Sequence, residues 1–372
     1  MLESVRVLDM SRVLAGPLCG MILGDLGADV LKVERPGSGD ETRTWGPPFD
    51  SRGESAYYLS INRNKLGVAL DLASSADRAC LEELIAGADV IVDNFRVGTL
   101  DRHGLEPTRL LEEHPKLIWC TLTGFGEESR RPGYDFVVQA ESGWMSITGE
   151  PDGEPMKSGV ALADVIAGKD AAIAILGALA ARGLSRAPVA AERRHLFISL
   201  FHSAVSALVN VAQNALVSGG DASRWGNAHA NLVPYQLFRA ADRHVVVAVG
   251  SDAQWLACCR ALDLDDLAKD ETLAKNSGRL ANRQRIVARF EERLAEGESR
   301  EWLDRLERAE VPCGVVRSVR EALEGIDASA LTGIGPLRPG TVRLAPPRLD
   351  EHGALIRAQG WQAFRNVAPI TR

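Results

Sequence analysis

Val5-Arg-Val-Leu-Asp9, Ser11-Arg-Val-Leu-Ala-Gly-Pro17 and Ala28-Asp-Val-Leu-Lys-Val-Glu34, which runs on into Arg35-Pro-Gly-Ser-Gly-Asp40, decide the fold. The first run reads as a short buried strand and the second as a loop entering a helix. That helix carries apolar residues at Leu18, Met21, Ile22 and Leu26 and stops near Gly27. The third run returns as another strand. Strand, helix and strand in so short a span make a βαβ unit, so the strands are expected to be parallel with a right-handed crossover. Ligands of such sheets collect at the carboxyl ends of the strands. Both strand ends here open into loops rich in Gly, Pro and Arg, the pattern of a nucleotide site.

A dinucleotide site is not expected. The first turn lacks the G-x-G-x-x-G spacing that lets a pyrophosphate approach a helix N-terminus. Glu34, at the end of the second strand, mimics a ribose-binding acid, but a strand-ending Glu is more commonly just solvated.

Working outward, Gly67 to Asp71, Ala88 to Asp93, Leu117 to Leu122 and Arg194 to Leu200 read as further strands. Ala76 to Ala86 reads as an amphipathic helix opened by a Ser-Ser-Ala-Asp start, and Ala161 to Ala181 as a long helix of small residues. A second apolar helix follows the last strand. The reading is α/β, with a Rossmann-like parallel sheet in a large domain over 1–217. Ser218-Gly-Gly-Asp-Ala-Ser223 is a linker signal, and 224–320 is expected to form a smaller α/β domain. In it, Val245 to Val249 and Val311 to Val316 read as strands, and Asp252 to Leu262 and Arg283 to Ala295 as helices. The proline-rich tail, 325–372, is expected to pack back on the large domain.

Composition narrows the function. A chain of 372 residues, 45% hydrophobic, fills a sizeable core and suggests roughly two or three domains. No apolar run is long enough to span a bilayer and no signal peptide is evident, so a cytoplasmic protein without membrane partners is expected, or an organellar one if a leader was removed. The net charge of −7 argues against nucleic acid, so an anionic ligand needs a local basic cluster. Six cysteines (Cys19, Cys80, Cys120, Cys258, Cys259, Cys313) show neither a C-x-x-C pair nor His at metal spacing. Reduced thiols are expected, with no metal.

Asp164 is the candidate catalytic residue. It stands in Ser158-Gly-Val-Ala-Leu-Ala-Asp-Val-Ile-Ala-Gly168, the only carboxylate between Glu154 and Asp170, at the start of the small-residue helix. Locally it reads either as a helix N-cap or as a covalent nucleophile toward an activated acyl group.

These blocks together resemble the class III CoA-transferases, the family that also contains α-methylacyl-CoA racemase. The resemblance rests on Arg12 to Pro17, Gly24 to Asp40, Asn62-Arg-Asn-Lys65, Asp93-Asn-Phe-Arg-Val-Gly98, Thr123-Gly-Phe-Gly126, Gly133-Tyr-Asp135, Gly159 to Gly168 and Val311-Pro-Cys-Gly314. It implies that Asp164 is the acyl-accepting nucleophile and that the enzyme exchanges thioesters without ATP or metal. A coenzyme A thioester is then a substrate, and no cofactor is bound permanently. It further implies an interlocked homodimer.

The racemase branch uses the same Asp as an acid/base, paired with His in a Gly-His-Asp triplet. Here Tyr134 occupies that place. Imidazole titrates near neutrality and suits movement of an α-proton, whereas a phenol near pH 10 does not. Transferase chemistry is favoured, with Tyr134 lining the acyl pocket or donating a hydrogen bond.

CoA carries a 3′-phosphate and a diphosphate, which call for Arg and Lys. By the family pattern the CoA-binding candidates are Arg35, Asn94, Phe95 and Arg102, with backbone contacts from Val13 and Ala15 and an adenine contact from Leu70. Arg63, Lys65 and Arg131 are weaker candidates. Glu41 to Phe49 and Arg224 to Tyr235 resemble the branch acting on succinyl-CoA and dicarboxylic acids such as glutarate. His229, in the second block, is the candidate for the distal carboxylate of the acyl group.

Two departures stand out. The chain lacks the long Gly-run loop of the oxalate-using members, which argues against oxalate, and its 317–349 region is shorter than the family pattern. The alternatives are a racemase or epimerase, or a non-catalytic acyl-CoA-binding protein on the same fold.

Overall fold

Strand β1 (Arg6–Asp9) lies at the centre of a six-stranded sheet. Its neighbours are β2 (Asp29–Glu34) and β4 (Val90–Asp93); β3 (Lys65–Ala69) lies beyond β2, and β5 (Ile118–Thr123) and β6 (His195–Ser199) lie beyond β4. The order is β3-β2-β1-β4-β5-β6 and every pairing is parallel. The chain reverses its direction of travel through the sheet between β1 and β4, where Leu8 registers with Ile91. A doubly wound sheet opens its ligand crevice at that switch point. The computed structural model describes residues 1–184 and 189–370.

Alternation along the strands makes two cores. Leu8, Leu31, Leu66, Ile91 and Trp119 face one side, covered by α2 (Ser75–Ala86) through Leu81, Leu84 and Ile85. Val7, Val30, Val90, Ile118 and Cys120 face the other, covered by α1 (Ala15–Asp25) and by a long helix that follows α3 (Asp135–Glu141). That long helix, α4 (Leu162–Leu184), buries Ala163, Ala167, Ala171 and Ile175 at a spacing of four residues. Its small side chains let it lie close to α1. A Cβ on Gly168 would sit 2.6 Å from the Ala15 carbonyl oxygen, so only glycine permits the approach.

Several strand boundaries differ from the sequence reading, among them the start of β3 and the end of β6. Strand β3 begins at Lys65, not Gly67: Lys65 and Leu66 register with Val30 and Leu31 of β2, and the charge that masks Lys65 as a strand residue is fully buried, with Nζ 2.7 Å from the Asp9 carboxylate. β6 ends at Ser199, whose hydroxyl accepts the His202 N–H at 3.3 Å and so starts helix α5 (Leu200–Ser206). After a bend of 73°, α6 (Asn210–Ser218) follows. No single helix among the described residues is long and apolar enough to cross a membrane.

The chain divides into two compact units. The first comprises Met1–Met145, Lys157–Gly220 and Gly325–Arg372; the second comprises Ser146–Met156 and Asp221–Glu324. The C-terminal tail thus belongs to the first unit, where Trp361 Nε1 donates to the Leu84 carbonyl at 2.9 Å; residues 371–372 lie outside the described part.

In the second unit β7 (Tyr235–Arg239), β8 (His244–Ala248) and β9 (Cys313–Val315) pair antiparallel. They pack with α7 (Asp252–Ala261), α8 (Arg283–Ala295) and α9 (Ser299–Arg308) around Trp255, Phe290 and Trp302. Strand β7 and helix α9 lie outside the elements expected from the sequence. Most of α9 is charged, and Trp302 and Leu306, one turn apart, with Ser299 at its start, mark its buried face. All six cysteines are free thiols, with Cys80 and Cys313 half-buried and the others buried.

Candidate active site

The carboxyl ends of β1 to β5 open into a cleft of about 970 Å3, lined wholly by residues of the first unit. Its construction begins with buried charge. Lys32 sits in an apolar strand with no exposed surface, its Nζ 3.1 Å from Asp40 and 3.0 Å from the Ser11 carbonyl. Desolvation opposes its charge, but Asp40, Asp9 and Glu34 outweigh that and raise its pKa. Lys65 is held by Asp9, by the Pro17 carbonyl at 2.8 Å and by Asn62 Oδ1 at 2.9 Å. Burial dominates there and brings its pKa down to about 8.

This network fixes the loop after β1. The Asp40 carboxylate oxygens accept the Val13 N–H at 3.2 and 3.3 Å. Val13 is held at φ +71°, which a β-branched residue adopts only under constraint. Asn94 grips the preceding residue at two points, accepting the Arg12 N–H at 2.9 Å and donating to the Arg12 carbonyl at 2.7 Å. Asp93, buried behind it, takes the Phe95 N–H at 3.0 Å and the Trp119 and Thr121 donors at 2.7 Å each.

The loop so held sets the Ala15 N–H near the Asp164 carboxylate, where it favours the ionised form. Asp164 lies in the first turn of α4 and lines the cleft. Its pKa is pushed up to about 7, first by burial and then by the negative charge of Asp135; the Ala15 N–H acts in the opposite sense. Asp135 Oδ1 accepts the N–H of Ala163 at 2.8 Å and of Asp164 at 3.4 Å. Tyr57 feels the same acids: burial, then Asp164, Asp135 and Asp40, push its phenol up to about 12, so it stays neutral. On the opposite wall Gly124 and Gly133 touch backbone to backbone. A Cβ on Gly124 would lie 2.6 Å from the Gly133 Cα, and this contact sets Tyr134 at the rim of the cleft.

The structure brings Val13, Ala15, Arg35, Leu70, Asn94, Phe95, Tyr134 and Asp164 to this one cleft. Asn94 spends its amide on Arg12, and Arg12 lies over the Phe95 ring at 5.8 Å. Arg102 is not among the lining residues, although its neighbours Thr99 and His103 are. Arg131 lines the cleft, stacks on Phe125 at 4.1 Å and pairs with Glu141. Arg63 and Lys65 face inward instead: Arg63 is buried against Asp25 at 2.7 Å and donates to the Thr332 and Ile334 carbonyls. His229 belongs to the second unit, where its Nδ1 accepts the Asn231 N–H at 3.0 Å and its ring lies 5.1 Å from that of Tyr235.

Sequence reasoning gave no role to Lys32, Asp40, Asp135 or Tyr57. For Lys32 a signal existed, since a lysine inside Val30-Leu-Lys-Val33 is either an edge residue or a buried charge with partners. Among the described residues Arg35, Arg96 and Arg130 line the cleft with no carboxylate partner, a local basic set on an acidic chain. No group of three or more potential ligands for a metal ion occurs among the described residues.

A doubly wound sheet, a cleft at its switch point with three arginines free of carboxylate partners among the described residues, and a half-buried carboxylate in the first turn of a helix suit an α/β enzyme that handles an anionic, nucleotide-bearing substrate. The chain belongs to CoA-transferase family III, which matches residues 2–359, and it is a class III CoA-transferase using CoA thioesters as substrates. It is 37% identical to a succinate–glutarate CoA-transferase of Agrobacterium fabrum, covering 99% of this chain and 98% of that protein. It is 41% identical to a succinyl-CoA:glutarate CoA-transferase of Homo sapiens, covering 86% of this chain and 72% of that one. A CaiB/BaiF family protein from Brucella suis shares the fold with a TM-score of 0.83 and 38% identity, covering 96% of this chain and 98% of that structure.

Proposed function

We propose that this enzyme moves CoA from succinyl-CoA to a dicarboxylic acid of the glutarate type through covalent intermediates on Asp164. The observation that carries this reading is the Asp164 carboxylate itself, half-buried in the cleft with a backbone N–H near it. The donor and acceptor classes rest on the two relatives whose names specify succinate and glutarate.

Each step exchanges a carboxylate for a thiolate. An Asp164 oxygen attacks the thioester carbonyl, the C–S bond breaks, and CoA leaves as thiolate from a mixed anhydride. The thiolate attacks the aspartyl carbonyl, the acyl carboxylate departs, and an aspartyl-CoA thioester remains. The acceptor carboxylate then attacks that thioester, and the released thiolate attacks the acceptor's carbonyl. Product acyl-CoA forms and Asp164 is restored. No proton is consumed, which suits a cleft whose rim carries the phenol of Tyr134 rather than an imidazole.

When the thiolate attacks the aspartyl carbonyl, negative charge develops on an Asp164 oxygen. The Ala15 N–H already lies near it and would serve as oxyanion donor. The strain at Val13 and the buried Lys32–Asp40 pair supply the rigidity that this role requires. Arg35, Arg96 and Arg130 would meet the phosphates of CoA.

Residues Val209, Leu216 and Val217, at and on α6, are more than two-thirds exposed, an apolar surface that a second copy of the chain would cover in a homodimer; light scattering reads this directly. The substrate assignment is tested by incubating the enzyme with succinyl-CoA and a panel of acids. CoA transfer to glutarate ahead of monocarboxylates and oxalate is expected. Transfer to no acid, with deuterium entering the α-carbon of a branched acyl-CoA in heavy water, would assign racemase chemistry instead.

A further inference from the structure

The opening of α4 is built by a side chain from another helix. Leu162 and Ala163 precede the nucleophile in the first turn, where backbone N–H groups lack partners within the helix. Asp135, at the start of α3, supplies one: its Oδ1 takes the Ala163 N–H at 2.8 Å and lies 3.4 Å from the Asp164 nitrogen. Its other oxygen, Oδ2, is held by Gln139 Nε2 at 2.6 Å. Gln139 has no exposed surface, and its Oε1 takes the Ser158 N–H at 2.8 Å. Asp135 and Gln139 therefore grip the segment leading to Asp164 at both ends, from Ser158 to the helix start.

We propose that Asp135 is a positioning residue for the nucleophile: it caps α4 through the backbone of Ala163 and Asp164 and sets the direction in which the Asp164 carboxylate enters the cleft. The proposal rests on the reading of Asp164 as nucleophile and extends it to the residue that aims it. The cap has an electrostatic consequence. A carboxylate used as a cap brings a full negative charge beside the nucleophile, where an Asn or Ser cap would bring only a dipole. Asp135 thus aims Asp164 and opposes its ionisation with the same oxygens. The charged or titratable groups acting on Asp164 are Asp135 from α3 and Tyr57 from the Ala56–Leu59 turn; α1 presents the Ala15 N–H, and the Leu200 end of α5 presents an apolar side chain.

Two variants separate the cap from the charge. Asp135→Asn keeps an acceptor oxygen for the Ala163 N–H and removes the charge; Asp135→Ala removes both. The first readout does not depend on turnover. Protein labelled with 13C-aspartate is titrated by NMR, and the Asp164 resonance is the one missing from Asp164→Asn. Its midpoint is expected to fall by roughly one pH unit or more in both Asp135 variants. The second readout is kinetic. Asp135→Asn is expected to hold its plateau kcat within about threefold while its acid limb moves to lower pH. Asp135→Ala is expected to lose about 100-fold in kcat with KM for the acyl-CoA little changed, the cost of a misaimed nucleophile.

A role confined to stability would lower the melting temperature of both variants yet leave the Asp164 midpoint and both plateau rates as in the wild type. That result overturns the proposal. An Asp164 whose titration responds to Asp135 in an enzyme that forms no covalent adduct would leave the cap standing and remove the nucleophile reading beneath it, so the two claims fail separately.

Discussion

The Asp40 carboxylate holds the Val13 N–H at 3.2 and 3.3 Å, and Val13 stands at φ +71°. One buried acid thus keeps a β-branched residue in a left-handed conformation at the edge of the cleft. Strain of this kind costs about 1–3 kcal/mol and persists only when the surroundings over-determine it. Here they do: Asp40 is itself paired with buried Lys32, and Asn94 fixes the residue before.

Removing Asp40 therefore acts twice. Asp40→Ala strands the Lys32 ammonium in the core and is expected to destabilise the enzyme by about 3–5 kcal/mol. It also frees Val13 to relax toward negative φ, which withdraws the Ala15 N–H from Asp164. Urea denaturation with a parallel kcat measurement checks both parts. Unchanged stability would mean that Asp9 alone satisfies Lys32.

Gly168 sets the distance between α4 and α1. Gly168→Ala places a methyl group 2.6 Å from a backbone oxygen that cannot move aside easily. An overpacking cost of about 1–3 kcal/mol is expected. The displaced α4 carries Asp164 with it, so kcat should fall more than KM rises. The melting temperature and steady-state kinetics of this variant check the point.

The raised pKa of Asp164 makes opposite demands on activity and stability. As nucleophile it must be ionised, so kcat/KM is expected to fall as pH drops below about 7, by about tenfold per unit well below that point. For stability the sign is reversed. The folded value, about 7, lies above the ordinary 3.8, so between those values the folded chain binds a proton that the unfolded chain has released. Stability is therefore lost as pH rises through about 7. Asp164→Asn has no such loss and can still accept the Ala15 N–H. At pH 8 it should be more stable than the wild type by on the order of 1 kcal/mol, after allowing for the solvent that reaches the cleft. Melting curves from pH 4 to pH 8 read the effect; a variant that is less stable at pH 8 would contradict it.

Much of this architecture is legible in the sequence because period and punctuation agree. Val5 to Glu34 alternates strand, capless loop and helix closely enough to fix a parallel sheet, and the positions singled out in the Arg12–Ala15, Arg35 and Asn94–Phe95 loops all lie at the carboxyl ends of strands. What escaped reading depends on distance in space. Asp135 and Asp164 are separated by more than a helix, and only the folded chain puts one at the other's backbone. Lys32 and Lys65 look like strand breakers until their partners Asp40 and Asp9 are known. Arg63 illustrates the converse. Its place in Asn62-Arg-Asn-Lys65 suggests a ligand contact, yet it is occupied by Asp25 and by carbonyls of a tail some 270 residues further along the chain.

The most direct test of the central claim is the intact mass of the enzyme after incubation with succinyl-CoA, beside Asp164→Ala. A CoA-sized or acyl adduct on the wild type, absent from the variant and mapping to the peptide containing Asp164, is the predicted result. An enzyme that transfers CoA to an acceptor while Asp164→Ala carries the same adduct, or retains the same rate, would contradict the assignment of Asp164 as nucleophile.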